Sequence, residues 1–207
     1  MADKLDFYDL ASVNRNVYIN DEIFHELSNS VVKHIKDIID NDKKYTDINN
    51  HALKKVYPNI DFDLSNKKNL PVVNVYVDSP GGSVYSMFSI YDQLKKLQDH
   101  CQVNMYGTGL IASAAIPIFL SADEKYRKCT RNTSFLIHQV SSIACGTVHD
   151  FEDQTSELKR VNTAIFDIIM ARTKISQEQL DEVYEKKKDW IITAEEALKM
   201  GIVSEII

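Results

Sequence analysis

Three observations predict an α/β fold built as one domain. Short β-rich runs alternate with stretches whose apolar residues recur at helical spacing. Two glycine-bearing turns, at 78–83 and 107–113, each join the end of a β-rich run to the start of a helical one. The length, 207 residues, is comfortable for one domain and tight for two. A chain of this size buries roughly 70% of its unfolded surface on folding, so no disulfide or metal staple is required.

Composition excludes several classes. A net charge of −6 argues against a phosphate-tracking groove, and so against nucleic acid as partner. The cysteines Cys101, Cys129 and Cys145 show no C-x-x-C spacing, and the polar start Met-Ala-Asp-Lys is no signal peptide. A reducing cytoplasm is therefore the expected location. The six histidines form no H-E-x-x-H or paired Cys/His set, so neither metal nor cofactor is expected. Residues 101–122 carry no formal charge, but their apolar part, 110–120, is too short to span a bilayer. No membrane association is expected.

Each element follows from local pattern. Residues 17–19 read as a short strand. Ile23, Leu27, Val31, Ile35 and Ile38 mark one face of a helix over 21–40. The Asn-, Asp- and Lys-rich stretch 41–69 reads as an exposed polar insertion, with at most a short helix near 52–56. Residues 71–77 make a strand that ends in Asp78-Ser-Pro-Gly-Gly82. Ser83 then caps a helix whose inner face is Val84, Met87, Tyr91, Leu94 and Leu97. A strand over 103–106, a turn over 107–112 and a short apolar helix over 113–122 come next. Residues 134–139 form another strand. The long helix at about 149–173 carries Phe151, Leu158, Val161, Ile165, Ile168 and Ile169. Capping boxes follow at Ser176-x-x-Gln179 and Thr193-x-x-Glu196, with Gly201 as a helix stop and 202–207 as a final strand.

The two glycine turns are where chemistry is expected. A strand-to-helix junction presents backbone N–H groups to a ligand. Ser113, in Gly109-Leu-Ile-Ala-Ser-Ala-Ala115, stands at one junction with the Ala114 N–H beside it; the ordinary alternative is a helix-capping serine. Ser79-Pro-Gly-Gly82 at the other junction supplies a second N–H, unless it is a plain Pro-Gly turn. Two convergent N–H donors are what an oxyanion hole requires. G-x-G-x-x-G and the P-loop pattern are both absent, so this chain hydrolyses no ATP by that route. His138 closes a strand and Asp189 precedes the last capped helix. Taken singly, each is more often a packed histidine or a solvated acid.

Their order supplies the context. Asp78-Ser-Pro-Gly-Gly82, Ser89-Ile-Tyr-Asp92, Gly109-x-x-Ala-Ser113, Ile137-His-Gln139 and Asp189 ahead of Thr193-Ala-x-Glu-Ala197 follow one another along the chain. That series resembles the proteolytic subunit of the Clp protease, ClpP, over about 72–207 and more faintly over 17–38. The resemblance implies a ClpP/crotonase-like fold of repeated β-β-α units, with a parallel sheet core and a projecting long helix. It makes Ser113 the nucleophile, His138 the general base and Asp189 the acid that orients it. Gly82 and Ala114 would supply the oxyanion-hole amides.

It also implies a ring assembly, a heptamer or double heptamer, joined through the 149–173 helix. The substrates would be unfolded polypeptides, delivered by a partner ATP-driven unfoldase ring. Four positions depart from the family's habit: Ala114 and Ala115 stand for Met and Gly, Val140 for Pro, and Trp190 for Arg. The same scaffold serves acyl-CoA hydratases and isomerases, which is one alternative. A non-catalytic ring subunit is the other, although its usual mark, a missing triad residue, is absent here.

Overall fold

The computed structural model describes residues 13–67, 70–143 and 145–207. Parts of the expected domain, 1–12 and 68–69 of the polar insertion among them, lie outside the described residues. The frame is a sheet of strands β1 (Asn16–Ile19), β2 (Val73–Ser79), β3 (Val103–Ala112), β4 (Arg127–Cys129) and β7 (Glu205–Ile206), ordered β1-β2-β3-β4-β7 and parallel throughout. β3 forks. Its first half pairs with β4, while its last residues pair in parallel with β5 (Ser134–Ile137). The strand β6 (Trp190–Thr193) then runs antiparallel to β5.

Alternation within the strands sets the two faces. Val17, Val75, Val77 and Met105 are buried under helices α1 (His25–Val56) and α2 (Val84–His100). The other face carries Tyr18, Tyr76 and Tyr106, stacked in a row with centroids 5.3 Å apart at each step. Beside them runs a row of hydrogen-bonded Asn16, Asn74 and Asn104 side chains.

The remaining helices are α3 (Ala115–Leu120), α4 (Val148–Arg172), α5 (Gln177–Lys186) and α6 (Ala194–Lys199). Capping boxes start α5 and α6 at the expected Ser176 and Thr193, and a third, unforeseen, starts α4 at Thr147. Arg127, almost fully buried, donates from Nη2 to the carbonyls of Arg172 and Gly201, both at 2.8 Å, and so ties β4 to the end of α4. Burial, with Arg172 nearby, lowers its pKa to about 10.

Three expectations are corrected. The polar stretch beginning at residue 41 is helical as far as Val56, because α1 continues without a break for 32 residues, about 48 Å. Its inward positions there are Asp42, Thr46, Asn49 and Ala52, which keep helical spacing but are mostly polar, so apolar periodicity passes over them. Residues 107–112 are strand, not turn, since β3 absorbs Gly107 and Gly109 through a register shift against β2. The last strand is only Glu205–Ile206.

The buried half of α1 is held by charge. The Asp42 side chain has no exposed surface; it accepts from Arg15 Nη1 at 2.6 Å and Nη2 at 3.1 Å, with His100 Nε2 at 3.2 Å. Burial pushes the Asp42 carboxyl up, but hydrogen bonds from His100 and Arg15 outweigh it and the net pKa is lowered. A depressed carboxylate contributes stability that is present above its unfolded pKa, 3.8, and lost as pH falls below that. Asp42→Ala strands the Arg15 charge and should cost about 3–5 kcal/mol in urea unfolding at pH 7. That difference from wild type should shrink toward pH 3.

Candidate active site

The site is assembled from strand ends. At the end of β2, the buried Ser79 hydroxyl donates to the Asp21 carbonyl at 2.6 Å and accepts from the Gly81 amide at 3.2 Å, which folds the turn back. Gly81 has φ +98° and lies against the residues after β3. A Cβ there would sit 2.7 Å from both the Ala112 oxygen and the Ser113 Cβ. Gly82, at φ +146°, lies on Ile23, whose N–H donates to the Gly81 carbonyl and whose carbonyl accepts from Ser83. That bridge passes over the Gly82 amide.

The second junction is locked to the first. Asp78 Oδ1 accepts the Leu110 N–H at 3.0 Å, and Gly109, at φ +53°, leaves room for that carboxylate. Asp78 was not singled out from sequence as a functional residue; its one signal is its place at the head of the Ser-Pro-Gly-Gly turn.

Ser113 then takes φ +53°, a left-handed conformation uncommon outside glycine. Its amide donates to the Leu136 carbonyl at 2.9 Å and its carbonyl accepts from Ile116 at 3.0 Å. It is not a helix cap: the residue at the cap of α3 is Ala114, with no side-chain cap bond. The hydroxyl is left for other work. Strain at such a residue costs about 1–3 kcal/mol and persists only where the surroundings enforce it. The fully buried α3 behind Ser113 does so.

Ser113, His138, Gly82 and Ala114 line one cavity of about 70 Å³, walled on its apolar side by Ile116, Ile165 and Ile169. Among the described residues neither the Gly82 nor the Ala114 amide has an acceptor. A wider groove of about 360 Å³ runs on past Val84, Val140, Leu158 and Val161, with Tyr85 and Glu157 at its rim. The Tyr85 hydroxyl donates to Glu157 at 2.6 Å, and Arg160 holds the same carboxylate, lowering its pKa to about 2.

Asp189 is placed differently. It is exposed, in the turn between α5 and β6, outside that cavity. Ile137 pairs with Trp190 at the end of the β5–β6 ladder, and His138 and Asp189 are the next residues of the two strands' chains beyond it. The His138 Nδ1, however, meets the Gln139 carbonyl, at 2.7 Å. The structure thus gathers four of the five expected residues on one cavity and leaves the fifth, Asp189, outside it and without a bond to the imidazole. Trp190 is half-buried against the core.

A serine at a strained strand-to-helix elbow, a histidine on the same cavity and two amides without acceptors are the kinds of group from which a serine hydrolase site is built. Comparison with known proteins narrows the class. Residues 44–207 match the family model described as Clp protease. The ATP-dependent Clp protease proteolytic subunit 3 of Rhizobium johnstonii is 36% identical over 135 residues, 65% of this chain and 68% of that protein. Proteolytic subunit 2 of Treponema pallidum is 31% identical over 135 residues, 65% of this chain and 66% of its own length. In structure, a ClpP1 mutant from Listeria monocytogenes covers 93% of this chain and 91% of its own, with a TM-score of 0.69 at 27% identity. The chain belongs to the Clp protease family and is a ClpP-type serine protease subunit. The hydratase and isomerase alternative is not favoured.

The glycine contact yields a direct check. Gly81→Ala places a methyl group under 3.0 Å from two backbone-anchored atoms at a positive φ. Modification of Ser113 by a fluorophosphonate should slow by at least about tenfold as the elbow shifts. The labelling rate measured against wild type checks it.

Proposed function

We propose that Ser113, His138 and Asp189 form the catalytic triad of this peptidase, with the Gly82 and Ala114 amides as its oxyanion hole. The observation that carries the reading is Ser113 itself. It is held at φ +53°, caps nothing, and shares a cavity with His138 and both amides.

The mechanism follows from those positions. A serine hydroxyl is a weak nucleophile until a base takes its proton. His138 accepts it as Oγ attacks the peptide carbonyl, and the oxygen's growing charge is met by the two amides. Losing one such donor costs about 3–4 kcal/mol of barrier. The histidine returns the proton to the leaving amine, and water then hydrolyses the acyl-enzyme with the same residue as base. In this reading Asp189, which follows directly on the last β5–β6 pair, is the acid that stabilises the imidazolium. The apolar wall of Ile116, Ile165 and Ile169 favours an apolar side chain beside the cleaved bond.

The subunit works in a heptamer or double heptamer, as one domain from residue 1 to 207. Support comes from two faces left uncovered. The first half of α4 exposes Val148 and Phe151, an apolar stripe suited to a second copy. The tyrosine row lies on a parallel sheet, and such sheets are ordinarily covered on both faces. We assign that face to an ATP-driven unfoldase ring, which would feed unfolded polypeptide to the site. Three free thiols, two of them buried, support a cytoplasmic setting.

Ser113→Ala should abolish both covalent labelling and peptide hydrolysis, and His138→Ala should reduce kcat nearly as far, on the order of 10⁶-fold. Labelling that persists in Ser113→Ala would sink the assignment. The purified protein should cleave short peptides but leave a hyperstable folded protein intact, as followed by gel over hours. Rapid Ser113-dependent digestion without ATP or partner would mean that the sites are open to bulk solvent and unchambered.

A further inference from the structure

We propose that Tyr85, pinned by Glu157, is a specificity-determining residue that limits the size of one substrate side chain flanking the cleaved bond. This inference rests on Ser113 being the nucleophile. The cavity that holds Ser113 and His138 adjoins the groove of about 360 Å³, since Gly82, Val84, Val140 and Ser141 line both. A polypeptide carries side chains on either side of the bond to be cut, spaced ~3.3–3.6 Å apart along an extended chain. With one of them against Ile116, Ile165 and Ile169, a neighbour falls in the adjoining groove.

That groove has an apolar floor and a fixed polar rim. Val84, Val140 and Leu158 are half-buried and Val161 is buried, a lining that suits an aliphatic side chain. On the rim, Tyr85 stands in the first turn of α2 and Glu157 on α4, so their bond at 2.6 Å ties two walls of the groove together. Arg160, a turn further along α4, grips both oxygens of Glu157. Its Nε donates to Oε2 at 2.7 Å and its Nη2 to Oε1 at 2.6 Å. A two-pronged pair of this kind fixes direction as well as adding strength. The Tyr85 side chain is 61% exposed, so its ring is held by this bond more than by packing.

Two consequences follow for the substrate. A side chain much larger than leucine has to push the phenol ring aside and break its bond to a carboxylate. A basic side chain gains little, because Arg160 already meets the Glu157 charge. The groove therefore selects by size and not by charge.

The experiment measures kcat/KM for peptides with leucine, tryptophan or lysine placed in turn at each position flanking the cleaved bond. At one such position the wild-type ratio of leucine to tryptophan should exceed about tenfold, the low end of what one methylene decides in an apolar pocket. Lysine there should be no better than leucine. Tyr85→Ala should lower the ratio by at least about tenfold. Tyr85→Phe keeps the ring and loses the bond, and should lower it by about threefold or more while stopping short of alanine. Both peptides are read on one preparation, so a loss of folded or assembled enzyme leaves the ratio where it was.

A wild-type ratio in Tyr85→Ala would overturn the proposal, as would a wild-type ratio in Tyr85→Phe or a preference for lysine over leucine. If Tyr85→Ala fails to assemble, Tyr85→Phe decides alone, since it removes a single oxygen from an exposed ring. Cleavage that persists in Ser113→Ala would instead bring down the triad reading. Ser113-dependent cleavage with the same profile in wild type and Tyr85→Ala removes only the role of Tyr85.

Discussion

The site depends on one close approach of backbone to backbone, where Gly81 at the end of β2 lies against residues 112–114 at the end of β3. A side chain on Gly81 would meet the Ala112 oxygen and Ser113 Cβ at 2.7 Å. Because none is there, two strand ends of a parallel sheet come near enough for Gly82 and Ala114 to line one cavity. The neighbouring bonds serve that contact. Ser79 folds the turn from below, Ile23 closes it from the side, and Asp78 clamps it to Leu110. The strained Ser113 is held because β5 takes its amide and α3 is buried behind it.

The fork in β3 delivers the histidine. Had β3 continued straight beside β4, no parallel strand would reach Leu110–Ala112, and β5 could not bring His138 to the elbow. The register shift between Val77 and Ser79, with Gly109 at positive φ, releases β3 from its first pairing and presents its end to β5. Turning β6 antiparallel against β5 carries the Asp189 turn back toward the same end. Ser113, His138 and Asp189 thus come from strand ends far apart in sequence, a placement that the sheet topology makes and no single segment encodes.

The rest of the molecule divides into what is held and what is left open. α1 is stapled by the Arg15–Asp42–His100 cluster, and β4 is pinned to α4 by Arg127. Tyr18 at the end of the tyrosine row and Val148 and Phe151 at the start of α4 are exposed. Surfaces of that kind on a family of protease subunits fit a chain completed by other chains.

Much of this was legible in the sequence by itself. The alternation of β-rich and helical stretches, the Ser83, Ser176 and Thr193 caps, and the inner faces of α2 and α4 are local patterns, each written in one segment's own period and end groups. Ser113, His138, Gly82 and Ala114 were expected together from ordered motifs, and all four line one cavity. The polar half of α1 was not legible, because its inward face is Asp42, Thr46 and Asn49, and the burial of Asp42 rests on Arg15 and His100, far along the chain. Nor was the strand over 107–112, since glycines there serve a carboxylate from another strand. Sequence order alone also paired His138 with Asp189. The tertiary structure decided what the imidazole touches: His138 Nδ1 meets the Gln139 carbonyl, a contact that depends on how one peptide is turned, and the N–H of that peptide donates to Asn162.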